Sequence, residues 1–124
     1  MRDRRQLRND IAGAILFDSL PGGFALPSVM VQGKISGLNR GTVQIAYQEL
    51  VAQNLVSTTV AGSIVNEAVS APLALIKAAT AICYDAASAG FDRERLLALL
   101  WGAWNDMETH EQERERAEME DSRY

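Results

Sequence analysis

From Arg4 to Leu16 the apolar residues Leu7, Ile11, Ala12, Ile15 and Leu16 recur at helical steps, which gathers them on one face of a first helix. That helix is expected to stop near Ser19, because Leu20-Pro21-Gly22-Gly23 joins a residue of fixed φ to two that tolerate positive φ. Phe24-Ala25-Leu26 then leads into Pro27, and Ser28 is placed to cap a second helix carrying Val29, Val31, Ile35 and Leu38. Its pattern is weaker: Gln32, Gly33 and Ser36 fall where an amphipathic helix favours leucine or alanine, and a glycine costs about 1 kcal/mol there. Gly37 permits a tight turn and Asn39 serves as the next cap. Val43, Ala46, Tyr47, Leu50 and Val51 mark a third helix from Arg40 to near Gln53. After Asn54, two β-branched runs on either side of Ala61-Gly62 predict a hairpin.

Beyond Ser70 the pattern changes. Pro72 opens a helix bearing Leu73, Leu75, Ile76, Ala79, Ile82, Cys83 and Ala86, which Gly90 ends. Asp92 caps another, with Leu96, Leu97, Leu99, Leu100, Trp101, Trp104 and Met107. From Glu108 this helix becomes charged, with Glu111 and Arg114, and Glu113 and Arg116, spaced to pair, and its last residues are expected to fray. The expected fold is mainly α with a small β-hairpin wing: a winged helix-turn-helix domain at 1–68, then a two-helix dimerisation hairpin with a charged tail at 69–124.

Composition narrows the class. Of 124 residues, 48% are hydrophobic and 23% charged, which suits a folded soluble chain. The one cysteine, Cys83, lies in an apolar run and reads as a small buried hydrophobe; a reducing cytoplasm follows. Asn9 and Asp10 interrupt any signal-like core, and no uncharged apolar run reaches the roughly 18 residues needed to span a bilayer, so no membrane partner is expected. A net charge of −4 is the wrong sign for wrapping nucleic acid, but the distribution is uneven. Arg2, Arg4, Arg5 and Arg8 crowd the start and acids crowd the end. No nucleophile lies beside a base, no phosphate loop carries its lysine, and His110 has no fellow ligands, so neither an enzyme, a metal site nor a cofactor is expected.

The order helix, helix, turn, helix, hairpin points to DNA, because such a domain sets the first turn of its third helix in the major groove. Here that turn is Asn39-Arg40-Gly41-Thr42-Val43-Gln44. Arg40 can pair with guanine or clamp a phosphate, Thr42 can touch phosphate or a thymine methyl, and Gln44 can read adenine. As a further expectation, the arginines at the start add backbone contacts.

Leu26-Pro27-Ser28, Asn39-Arg40-Gly41-Thr42-Val43, Ala46-Tyr47-Gln48-Glu49-Leu50 and Gly62-Ser63-Ile64-Val65 together resemble the N-terminal domain of GntR-family regulators, through Asn66. The remainder resembles the short YtrA-type branch, in which a pair of helices replaces a large effector domain. The resemblance implies a homodimer on a palindromic double-stranded operator, commonly as a repressor. The DNA-facing set is then Arg4, Arg8, Ser28, Lys34, Asn39, Arg40, Gly41, Thr42, Gln44, Tyr47 and Gly62. Three departures stand out. Met30 replaces a phosphate-gripping arginine. Gln32, Gly33 and Ser36 replace a leucine-alanine pair and a later leucine, which predicts looser packing of the second helix. The wing, Ser57 to Gly62, lacks a cation and is one residue shorter.

Leu96, Leu97, Leu99, Leu100, Trp101 and Trp104 wrap most of their helix and need a cover that one partner helix cannot give. The expected cover is a second copy, with Ile76, Ala79, Ile82, Cys83, Leu96, Leu97, Leu100, Trp101 and Trp104 at the twofold interface. A small-molecule pocket among Trp101, Trp104, Tyr84 and Phe91 is the rival use of these residues, which leaves an effector open. The alternative function is a degenerate winged-helix interaction or dimerisation module with weak or no DNA binding.

Overall fold

Asp3 accepts a hydrogen bond from the Gln6 amide at 2.8 Å, and this cap starts α1 (Arg4–Leu16), the first element of a computed structural model that describes residues 3–122. Then come α2 (Val29–Ser36), α3 (Arg40–Ala52), β1 (Val56–Thr59), β2 (Gly62–Val65), α4 (Leu73–Ser88) and α5 (Arg93–Asp121). The chain divides into two compact units, Met1–Ile76 and Lys77–Tyr124. The architecture is the winged helix-turn-helix followed by C-terminal helices that the periodicity predicts.

In the first unit α3 is the central element. Val43, Ala46 and Leu50 on its inner face are fully buried. Leu7 and Ile15 of α1, Val56 and Val65 of the hairpin, and Leu26 and Leu55 from the loops close around them. Each valine, leucine or isoleucine side chain so removed from water contributes on the order of 1.5–3 kcal/mol, so the inner stripe of α3 anchors the orientation of its outer face.

The hairpin is antiparallel, with Val56 opposite Val65 and Thr59 opposite Gly62. Its turn is Val60-Ala61, one residue earlier than the glycine position suggests. Neither of those residues takes a positive φ; Gly62 does, at 120°, as the first residue of β2. The segment expected only to lead into Pro27 pairs with the other edge of β2. Gly23 N–H donates to Val65 at 2.8 Å, Val65 N–H to Phe24 at 2.9 Å and Leu26 N–H to Ser63 at 2.9 Å. The wing therefore stands on three extended segments, which restrains it more than a lone two-stranded hairpin would be.

In the second unit Gly90, with φ 79°, ends α4, and Asp92 caps α5 by accepting from the Arg95 amide at 2.8 Å. Leu96 is the residue here, among those described, that the hairpin buries, at 8% exposure. Cys83 is exposed, contrary to the buried position its apolar neighbours suggest, because nothing among the described residues covers that face of α4. At 29 residues α5 is much longer than the 16-residue α4, and it stays helical through Asp121; Arg123 and Tyr124 lie outside the described residues. The ion pairs on this charged stretch are not the expected glutamate–arginine pairs. His110, when protonated, faces Asp106 at 3.5 Å and Glu113 at 3.7 Å.

Candidate nucleic-acid interface

The surface is built on the α2–turn–α3 unit, and its capping was legible residue by residue. Ser28 Oγ accepts from the Val31 amide at 3.2 Å, which starts α2 and commits that hydroxyl to the backbone. Gly37 takes a left-handed φ of 70° and ends it. Asn39 Oδ1 accepts from the Thr42 amide at 2.8 Å and starts α3.

Gln32, Gly33 and Ser36, on which the expected looseness of α2 rests, each have a contact of their own, while Met30, Val31 and Ile35 stay exposed. Gly33 is buried, and a Cβ there would lie 2.7 Å from the Leu38 carbonyl oxygen, so the absence of a side chain lets the turn close on the helix. The Leu38 amide donates back to the Gly33 carbonyl at 3.0 Å. Gln32 is also buried, and its Nε2 donates to Ser36 Oγ at 2.5 Å, so these two polar residues satisfy each other where apolar ones were expected.

Arg40, Gly41 and Gln44 are exposed on the leading turn of α3, and Thr42 is half-buried beside them. Lys34 is exposed in the last turn of α2. Tyr47 is not on this surface in the way its neighbours are. It is 5% exposed, its hydroxyl donates to the Pro27 carbonyl at 2.8 Å, and burial pushes its pKa up to about 12. Its place is in the core, where it ties the approach to α2 onto α3. Gln44, Gln48, Val29 and the wing residues Thr58 and Ser63, with Tyr47 as the floor, line a cavity of ≈ 300 Å³ between helix and wing. The wing tip is neutral: Thr59 Oγ1 donates to the Gly62 carbonyl at 2.8 Å and accepts from the Ala61 amide at 3.2 Å, and Val60 is fully exposed.

The N-terminal arginines divide. Arg4 Nε lies 2.9 Å from Glu49 Oε1, and Arg8 is bound by the other carboxylate oxygen of the same residue. Glu49, on α3, thereby clamps two positions one turn apart on α1, a role that sequence reasoning missed. The signal was present: Glu49 is one of only five charged residues between Ile11 and Ile76. Arg5 has no ion pair among the described residues, and Arg2 lies outside them.

At the other end of the chain, Leu97, Leu100, Trp101 and Trp104 are 42–74% exposed and line a cavity of ≈ 680 Å³ with Asn105 and Glu108. Trp104 Nε1 donates to Glu108 Oε1 at 2.6 Å. Leu96 instead turns inward with Phe91 toward a separate cavity of ≈ 180 Å³ that Ile82 also lines. The aromatic set considered for a ligand pocket is therefore split between two cavities, and Tyr84 stands 73% exposed. Ala79 and Cys83 are exposed on α4, and Ile76 is half-buried.

The helix-turn-helix, its capped third helix and the adjoining wing define a winged helix-turn-helix protein. Solved structures to which the chain is similar include GntR-family regulators. YtrA from Sulfolobus acidocaldarius, a GntR-family transcription factor, is similar at 25% identity over 68% of this chain and 85% of that one, with a TM-score of 0.51. A transcriptional regulator from Oenococcus oeni matches in fold at 24% identity over 86% of this chain and 92% of its own, with a TM-score of 0.52. A GntR-family transcriptional regulator from Listeria monocytogenes matches in fold at 19% identity over 80% and 92%, with a TM-score of 0.51. No family model matches the chain. No curated protein matches it either.

Proposed function

We propose that the chain is a DNA-binding transcriptional regulator of the GntR type, acting in the cytoplasm as a homodimeric repressor on a palindromic operator. The observation that carries this reading is the leading turn of α3, capped by Asn39 and held outward by a fully buried inner face, with Arg40 and Gln44 exposed on it and Thr42 turned toward the α1 side. Free amides and the positive end of the helix dipole at that turn favour phosphate, while Arg40 and Gln44 carry the donor patterns that read guanine and adenine. The likeness to the Sulfolobus YtrA structure supports the same assignment. Charge distribution supports it too: the first 76 residues hold six cations and five acids, and the remaining 48 hold six and eleven. The acidic balance of the whole chain therefore does not describe the surface that would meet DNA.

The second unit supplies the pairing. Trp101 and Trp104, exposed beside Leu97 and Leu100, are aromatic anchors of the kind that dominate stable interfaces, and a twofold contact there would present two copies of α3 to a symmetric site. No helix among the described residues is long and apolar enough to cross a membrane.

Binding of the full-length chain to duplex DNA from upstream of its own gene tests the assignment. Saturable, salt-sensitive binding that Arg40→Ala and Gln44→Ala each weaken is expected. A single discriminating side chain of this kind is worth about 1–3 kcal/mol against the wrong base. Absence of binding to any duplex would favour the second reading, an interaction module, which the cation-free wing from Ser57 to Gly62 motivates.

A further inference from the structure

Arg4 and Arg5 both line a groove of ≈ 520 Å³ between the start of α1 and the first turn of α3, together with Asp3, Thr42 and Ile45. The two arginines are not equivalent. Arg4 is drawn to Glu49 at 2.9 Å, and Arg8, one turn on, is held by the same carboxylate with only 21% of its side chain exposed. A phosphate that recruited either one would have to displace a charge-assisted contact that already exists, so neither adds a full counterion to those released on binding. Arg5 is exposed and has no ion pair among the described residues. Asp3, the acid in the groove, has Oδ1 committed to the cap of α1. Thr42 gives its amide to Asn39, and its hydroxyl has no hydrogen bond among the described residues.

We propose that Glu49 sets how many cations the DNA-facing surface can use: it holds Arg4 and Arg8 within the protein and leaves Arg5, with the Thr42 hydroxyl across the groove, to grip a backbone phosphate. This rests on the DNA-binding function proposed above and assigns its electrostatic control. Two of the four N-terminal arginines, Arg4 and Arg8, are then structural, and the chain holds them in reserve as cations that one substitution on α3 would release. The arrangement also accounts for a wing without charge in a chain that still meets DNA, since the backbone grip moves from the wing to the α1–α3 groove.

The test is the salt dependence of binding of the full-length protein to a mixed-sequence duplex, followed by fluorescence anisotropy over a range of KCl. Arg5→Ala is expected to reduce the slope of log K against log salt by about 0.9, the value for one lost phosphate contact. Arg8→Ala is expected to leave the slope unchanged and to lower the melting temperature, as loss of an internal clamp should. Glu49→Gln is expected to steepen the slope, by up to about 1.8 if both arginines reach phosphate. If Glu49→Gln does not fold, the contrast between Arg5→Ala and Arg8→Ala still decides. An unchanged slope in Arg5→Ala, or a reduction in Arg8→Ala equal to that in Arg5→Ala, overturns the assignment while leaving DNA binding in place. Failure of the unaltered protein to bind the duplex at low salt overturns the function and this assignment together.

Discussion

Tyr47 shows how much one side chain can reveal about stability. Its hydroxyl donates to Pro27 in the core, and burial raises its pKa from 10.0 to about 12. The folded chain therefore keeps this proton at a pH where the unfolded chain loses it. The contribution is intact below pH 10.0 and is lost as pH rises through about 12. Tyr47→Phe should cost about 1 kcal/mol at neutral pH through the missing hydrogen bond, and the gap to the unaltered protein should narrow in alkali. Urea unfolding on either side of the tyrosine range measures both effects. Gly33 is the converse case, where a residue that looks unfavourable along the helix is required across it. The 2.7 Å approach of the Leu38 carbonyl leaves no room for a Cβ, so Gly33→Val should destabilise the chain by about 1–3 kcal/mol, read from its urea midpoint. Periodicity sees only the helix that carries Gly33, whereas the reason for the glycine lies in the turn that follows.

At the scale of elements, the sequence was most legible where local chemistry fixes an end. Ser28, Asn39 and Asp92 each cap the helix they precede, and Gly37 and Gly90 each end one with a positive φ. Asn39→Ala should therefore cost about 1 kcal/mol and weaken DNA binding as well, because the cap also shapes the first turn of α3; calorimetry and anisotropy separate the two. Legibility failed where tertiary pairing makes the element. Phe24-Ala25-Leu26 is too short between Gly23 and Pro27 to show an alternating pattern, yet it pairs along β2. The wing turn moved by one residue because the demand for positive φ falls on Gly62, at the start of the strand. In the candidate site, Arg40, Thr42 and Gln44 could be named from the turn, whereas the Glu49 clamp joins residues 41 and 45 positions apart and leaves no local pattern. A cation introduced on the wing, as in Ala61→Lys, should steepen the salt dependence of DNA binding by up to about 0.9, because Ala61 sits at an exposed tip with no neighbouring acid in the hairpin.

For the whole molecule, the unresolved economy of the fold lies in the second unit, whose tryptophans stay in water unless another surface covers them. Trp101→Asp with Trp104→Asp should convert the proposed dimer to a monomer in sedimentation velocity without unfolding the first unit, whose core contains neither residue. Pairing and DNA recognition meet in a single measurement: recovery of bound duplexes from a random-sequence pool by the full-length protein. Enrichment of an inverted repeat whose half-sites are centred about one helical turn apart, or a multiple of it, is expected, as is its loss with Arg40→Ala. Recovery of no common sequence, or of one without twofold symmetry, would contradict the proposed function.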